Sequence, residues 1–347
     1  MLGMGTYARW GAVLGLSLAA AACGSDEGDG VAGPTFGTGG SSAATGSGGS
    51  GAGSAASGSG GQGGGIQLGG AGGGSGGGQT GCTKTDFLFV VDSSVSMGNE
   101  QAALTAAFPK FIASIQGATK ITDYHIMVVD TDAETRCTAA ACAGTPHSTC
   151  NNHACNNVYK GCDAERGAGV IHPTGQGSSN KLCPIDGGRR YMDQTQTDLS
   201  GTFSCVATLG LAGHQSERPM EAMVAAVSPA MNDTGGCNEG FLRKDAILVV
   251  TFISDDPNKE DTGTAQSWYD AVVAAKDGKA ESVVMLGLIP DGAAATPTKQ
   301  LHWHDFVKLW GKTGLKGDVA STDYAPFFDG AIAVIDETCN NFIPPPR

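Results

Sequence analysis

The chain has 347 residues, a net charge of −13 and 55 glycines. That acidic balance argues against nucleic acid as a partner, because phosphate backbones select basic patches. Otherwise an acidic surface mainly favours solubility.

In chain order, residues 1–22 read as an export signal. Arg9 supplies the positive charge, and "WGAVLGLSLAAAA" is an apolar run of h-region length. It is shorter than the roughly 20 residues a membrane-spanning helix needs. The run ends in small residues at Cys23, followed by "GSDEGDG". This resembles a bacterial lipoprotein cleavage site, which implies lipidation of Cys23, although Ala20 departs from the leucine common there. Residues 23–81 are Gly/Ser-rich; "GSGGSGAGSAASGSGGQGGG" holds too little apolar surface to offset the entropy of ordering it. About 50 such residues form a leash reaching on the order of 40 Å. A leash behind a lipid predicts a soluble domain tethered extracytoplasmically in the cell envelope. Gly24, in place of aspartate, favours the outer membrane by analogy with other lipoproteins.

From Cys82 onward apolar runs alternate with helical spacing. "DFLFVV" and "YHIMVV" predict strands covered on both faces. Between them "NEQAALTAAFPKFIASI" predicts a helix, kinked at Pro109. "AILVVTFIS" predicts a third strand, "SWYDAVVAAK" a helix, "SVVMLGLI" a fourth strand, and "HWHDFVKLWGK" and "DYAPFFDGAIAVIDETC" two more helices. The alternation indicates an α/β sandwich around a mostly parallel sheet.

From about 137 to 205 the periodicity fails, which predicts an insertion stapled by disulfides. Eleven cysteines less Cys23 leave an even number, as export would require. The insertion holds Cys137, Cys142, Cys150, Cys155, Cys162, Cys183 and Cys205. Seven cannot pair among themselves, so Cys205 is expected to reach Cys237, with six left to pair internally in an order the sequence leaves open. Cys82 and Cys339 flank the first strand and last helix and are expected to clasp them.

Ligands of open α/β sheets bind beyond the carboxyl ends of the strands. Asp92 stands there on the first strand, and Asp255 and Asp256 on the third. Asp92, Ser94 and Ser96 alternate, so in an extended loop their oxygens converge as a hard-cation site for Mg²⁺ or Ca²⁺, with Mn²⁺ also suited. The alternative is that they cap the following helix. Strand, "DSSVS", helix, and the second segment "LRKDAILVVTFISDD" together resemble von Willebrand factor type A (vWA) domains; the closing "STDYAPFFDGAIAVIDETC" resembles those of bacterial surface lipoproteins. The resemblance covers most of 83–340 outside the insertion. It implies a vWA-like three-layer sandwich over 82–347 whose metal-ion-dependent adhesion site uses Asp92, Ser94, Ser96 and Asp255, with Asp256 secondary. The family's third loop normally supplies a threonine. Here "ATLGLAGHQSERPMEAMVAAV" offers Thr208, Ser216 and Glu217, with Glu217 preferred at the helix start. Neutral hydroxyls on the ion would leave it positive enough to recruit a partner's carboxylate, whereas a bound Glu217 would favour a structural ion.

His147 and His153 sit among disulfide cysteines, which favours bridges over zinc. His302, His304 and Asp305 of "HWHD" read as an exposed helix start, and Trp268, Trp303 and Trp310 as packing residues. No nucleophile–base pair supports catalysis. The expected function is divalent-cation-dependent binding of a protein partner offering an acidic side chain, with no enzymatic activity. A scaffold lipoprotein with a stabilising ion, or a metal-assisted hydrolase, are the alternatives.

Overall fold

Parallel strands buried on both faces need helices above and below them, and the computed structural model shows that arrangement. It describes residues 81–132, 149–150, 153–154, 161–213, 217–256, 261–290 and 301–345. Cys23, expected from the sequence to be lipidated, the Gly/Ser-rich segment expected to be a leash, and Cys137, Cys142, His147, Cys155 and Ser216 lie outside them. The elements are β1 (Lys84–Val91), α1 (Gly98–Ala118), β2 (Asp123–Asp130), β3 (Thr149–Cys150), β4 (His153–Ala154), β5 (Met192–Asp193), α2 (Leu199–Ala207), α3 (Pro219–Ala226), α4 (Pro229–Asn232), β6 (Ile247–Ile253), α5 (Ala265–Ala275), β7 (Val283–Ile289), α6 (Leu301–Leu309), β8 (Gly314–Asp318) and α7 (Ala325–Asn341). Among the described residues no helix is long and apolar enough to cross a membrane.

The main sheet runs β5-β2-β1-β6-β7-β8. Its strands are parallel except the two-residue β5, antiparallel to β2. β3 and β4 form a separate antiparallel pair. Because side chains alternate along a strand, β1 feeds two cores. Phe87, Phe89 and Val91 pack under α1, α2 and α7, meeting Phe108, Phe111, Phe203 and Phe328. Leu88 and Val90 face α3, α5 and α6, with Met220, Trp268, Trp303 and Phe306. This is a three-layer α/β sandwich, and the tryptophans are core or near-core. α1 passes through Pro109 as one helix.

The expected insertion is shorter than its 137–205 bounds. Residues 199–207 form α2, whose Phe203 is fully buried and stacks on Phe108 with ring centroids 3.6 Å apart. Phe203→Ala is expected to cost about 3–5 kcal/mol, the usual loss for a buried phenylalanine. A urea midpoint unchanged from wild type would remove α2 from the core.

Three disulfides are described. Cys82–Cys339 ties the entry of β1 to the last turn of α7. Cys205 does not pair with Cys237: it bonds Cys183, while Cys237 bonds Cys162. The reason is placement. Cys205 faces inward on α2 beside the 183 loop, whereas Cys237 follows α4 on the other side of the sheet, where the 162–170 segment is pinned by the Asn238 side chain, which accepts from Gly169 N and donates to Gly167 O. The Cys183–Cys205 and Cys162–Cys237 bridges therefore fasten the inserted chain to different helix layers.

Candidate metal centre

β1 lies at the centre of the sheet, where the strand order changes direction between β1 and β6. Their register pairs Val91 with Ile253, so the next residues of each, Asp92 and Ser254–Asp256, emerge side by side in the crevice such sheets use for ligands. Asp92 is completely buried. One of its oxygens accepts from the Ser94 amide at 2.7 Å and the other from the Ser254 hydroxyl at 2.6 Å. The Ser94 and Ser96 hydroxyls are 3.3 Å apart, and Ser96 donates to Asp255 at 2.9 Å. Asp92, Ser94, Ser96 and Asp255 thus converge from two strands into one oxygen cluster, closed at Asp92 and open to solvent at Ser96. None of them caps α1, whose N-cap is Met97 with no side-chain cap bond.

The other sequence candidates divide. Thr208 ends α2 and donates its hydroxyl back to the Ser204 carbonyl, so it takes no bond in the cluster. Asp256 is buried and accepts from the Glu217 amide at 3.1 Å, positioning that residue. Glu217 itself is fully buried; Thr131 donates to one oxygen at 2.7 Å, and the other, also buried, has no hydrogen-bond partner among the described residues. In α6, His304 meets Lys316 Nζ at 2.9 Å and the Pro290 carbonyl at 3.1 Å, a helix-to-edge-strand contact and no metal cluster.

Sequence reasoning missed two acids and a glutamine. Asp130 ends β2, and Asp132 follows it, bridged to Glu217 through the backbone. The carboxylates of Asp130, Asp132 and Glu217 are all buried, with ligand atoms within 4.8 Å of one another. Ser93 donates to Asp130 at 2.8 Å, so alternate residues of one loop serve the two acidic groups. The carboxyl-end rule that found Asp92 applies equally to Asp130 and could have found it. Gln101, buried in the first turns of α1, donates to the Asp92 and Gly210 carbonyls and accepts from the Gly210 amide. It staples the β1 loop to the loop after α2. Gly213 lies so close to Ser93 that a Cβ would stand 2.2 Å from its hydroxyl. Gln101→Ala would leave three buried backbone groups unpaired and is expected to cost about 2–3 kcal/mol. The readouts are the urea midpoint and the cation-induced rise in Tm; both unchanged would deny Gln101 this role.

Charge defines what the crevice lacks. Burial pushes the Asp92 carboxyl up to about 7, against the Ser254 and Ser94 hydrogen bonds that lower it, and Asp255 raises it further. Burial, then Asp92, Asp132 and Asp130, raise Glu217 well above the ordinary carboxylate range. Among the described residues no lysine or arginine pairs with Asp92, Asp255 or Glu217. Clustered carboxylate and hydroxyl oxygens without a basic partner fit a hard divalent cation.

No family model matches the chain, and no curated protein matches it. Among solved structures it is similar to a von Willebrand factor type A protein from Catenulispora acidiphila, at 14% identity over 73% of this chain and 43% of that one, with a TM-score of 0.35. It is similar to proximal thread matrix protein 1 of the mussel byssus with a zinc-occupied MIDAS motif, at 12% identity over 75% of this chain and 50% of that one, with a TM-score of 0.36. The pilus adhesin SpaC from Lactobacillus rhamnosus GG, in its open conformation, gives 12% identity over 75% and 31%, with a TM-score of 0.36. The chain spans half or less of the length of these three.

Proposed function

We propose that the chain is an extracytoplasmic binding protein, lipid-tethered through Cys23, that engages a protein partner through a divalent cation. Asp92, Ser94, Ser96 and Asp255 hold the cation, and the partner offers an acidic side chain as a further ligand. The observation that carries this reading is the convergence of those four side chains at the β1/β6 crevice, with Ser96 exposed. The neighbouring Val95 is 71% exposed, an apolar contact at the rim for whatever approaches the ion. Mg²⁺ and Ca²⁺ suit the oxygen set best, and Mn²⁺ is compatible. The role is binding and not catalysis. The test is capture from an envelope lysate. Wild-type chain with Mg²⁺ or Ca²⁺ is expected to retain a partner that is released by EDTA and not retained by an Asp92→Ala, Asp255→Ala chain. The same partner held by that variant in EDTA would end the proposal.

One observation favours a second reading. Glu217 is buried, with Asp92 the largest charge acting on it after burial, and its negative charge would offset the ion's. The ion would then stabilise the three loops of a scaffold lipoprotein. A cation-dependent rise in Tm without cation-dependent capture of any protein would select this reading.

A further inference from the structure

Behind the Asp92 cluster, the carboxyl end of β2 carries acidic side chains that the proposed partner-binding ion does not use. Asp130 and Asp132 are two residues apart, and both are buried. An antiparallel backbone bridge brings Glu217 against Asp132 from a loop 85 positions away in the chain. Three buried carboxylates with ligand atoms within 4.8 Å of one another repel strongly unless something positive or a shared proton lies among them.

The second observation is independent of that clustering. Glu217 is fully buried, and while Thr131 satisfies one of its oxygens, the other is buried with no hydrogen-bond partner among the described residues. Buried polar atoms in folded proteins are nearly always paired, so a buried carboxylate oxygen left open beside two other carboxylates marks a ligand position. A cavity of about 20 Å³, enough for one water-sized guest, lies against Asp130 and Asp132, and Glu217 is not part of its lining. Arg166 and Arg190 also line it; Arg166 pairs with Glu221 and donates from Nε to the Asp132 carbonyl at 3.1 Å, and Arg190 pairs with Asp163. Asp163 and Glu165 add further oxygens to the lining.

We propose that Asp130, Asp132 and Glu217 hold a second divalent cation, of the Ca²⁺ or Mn²⁺ class, in a site distinct from the Asp92–Asp255 cluster. Ser93, bonded to Asp130, and Ser94, bonded to Asp92, are adjacent residues of one loop. The second cation therefore braces the loop that presents the first. Its ligands are all acidic and buried, so it has no face for a partner.

The test counts ions on the full chain with Mn²⁺ alone at pH 7.5, by electron paramagnetic resonance of free Mn²⁺. Wild type is expected to bind two ions, Asp132→Asn one and Asp92→Asn one. Crystals of wild-type chain soaked in Mn²⁺ are expected to show an anomalous peak among the Asp130, Asp132 and Glu217 carboxylates, a readout that no variant's folding can confound. A wild-type chain with one ion that survives Asp132→Asn, or a soaked crystal without that peak, overturns the second site. A single ion lost in Asp132→Asn and kept in Asp92→Asn leaves the second site standing and removes the Asp92 reading instead. No ion bound in wild type at millimolar Mn²⁺ overturns both and leaves a cluster held by protons.

Discussion

An Asp92→Asn chain is expected to lose cation binding at the β1/β6 crevice by about 100-fold or more, roughly 2.8 kcal/mol at 1.4 kcal/mol per tenfold. Asparagine keeps the size of the side chain and an acceptor for Ser254 or Ser94, so the loop geometry should survive while the charge goes. The pH dependence follows from the same carboxyl. Burial pushes Asp92 up to about 7, so below that pH a proton occupies the group that the cation needs deprotonated. Cation affinity of the wild type should be level above about pH 8 and fall by about tenfold per unit below about 7. Without cation the sign is opposite. A carboxyl whose folded value is raised contributes stability that is present below its ordinary value of 3.8 and lost as pH rises through about 7. The cation cancels that loss. Isothermal titration of wild type and variant at pH 6, 7 and 8 reads both effects. An Asp92→Asn chain that binds as tightly as wild type at pH 8 would show that the crevice recruits no cation through this residue.

How far the sequence carries depends on the range over which each feature is encoded. β1, β2, β6 and β7 are legible because a strand covered on both faces is apolar along its whole length. β8, "GLKGD", is half-exposed at the sheet edge and has no such run. The two-residue β5 carries too little pattern to be read. α2 is obscured by the cysteines and polar residues around it, although Asp198 caps it by accepting from the Gly201 amide. Within the site, Asp92, Ser94 and Ser96 are neighbours in the chain, so alternation suffices to predict their convergence. Asp255 follows from strand ends in a parallel sheet. Asp130 follows from the same strand-end rule, but Asp132 is joined to Glu217 by a pairing no local pattern announces. The disulfides illustrate the same limit. A cysteine count shows that bridges exist, but choosing Cys183 over Cys237 as the partner of Cys205 requires knowing which helix layer each loop crosses.

Glu217→Gln is expected to move stability in opposite directions with and without cation. In EDTA, at a pH above its raised titration range, the wild type carries a fully buried carboxylate beside Asp92, Asp132 and Asp130, with one oxygen unpaired among the described residues. Its folded value is raised above 4.5, so the stability it contributes is present below that value and lost as pH climbs through the raised one. Glutamine removes the charge, retains an acceptor for the Thr131 hydroxyl, and should raise stability by roughly 1–3 kcal/mol, the usual penalty for an unsatisfied buried polar group. That advantage should shrink as pH falls and the wild-type carboxyl takes up its proton. With saturating Ca²⁺ or Mn²⁺ the order should reverse, because a ligand bound only to the folded state stabilises in proportion to the logarithm of its concentration over Kd, and the variant binds more weakly. Melting curves of both chains below and above the Glu217 titration range, in EDTA and in cation, give the four comparisons. A variant less stable than wild type in EDTA at the higher pH would mean that the Glu217 charge is already compensated, and the carboxylate would then be a structural acceptor for Thr131 and no part of a metal site. The crossing of the two melting orders, by contrast, has no source in packing, since glutamate and glutamine fill the same space. It requires that a positive ion be the partner for which this charge is buried.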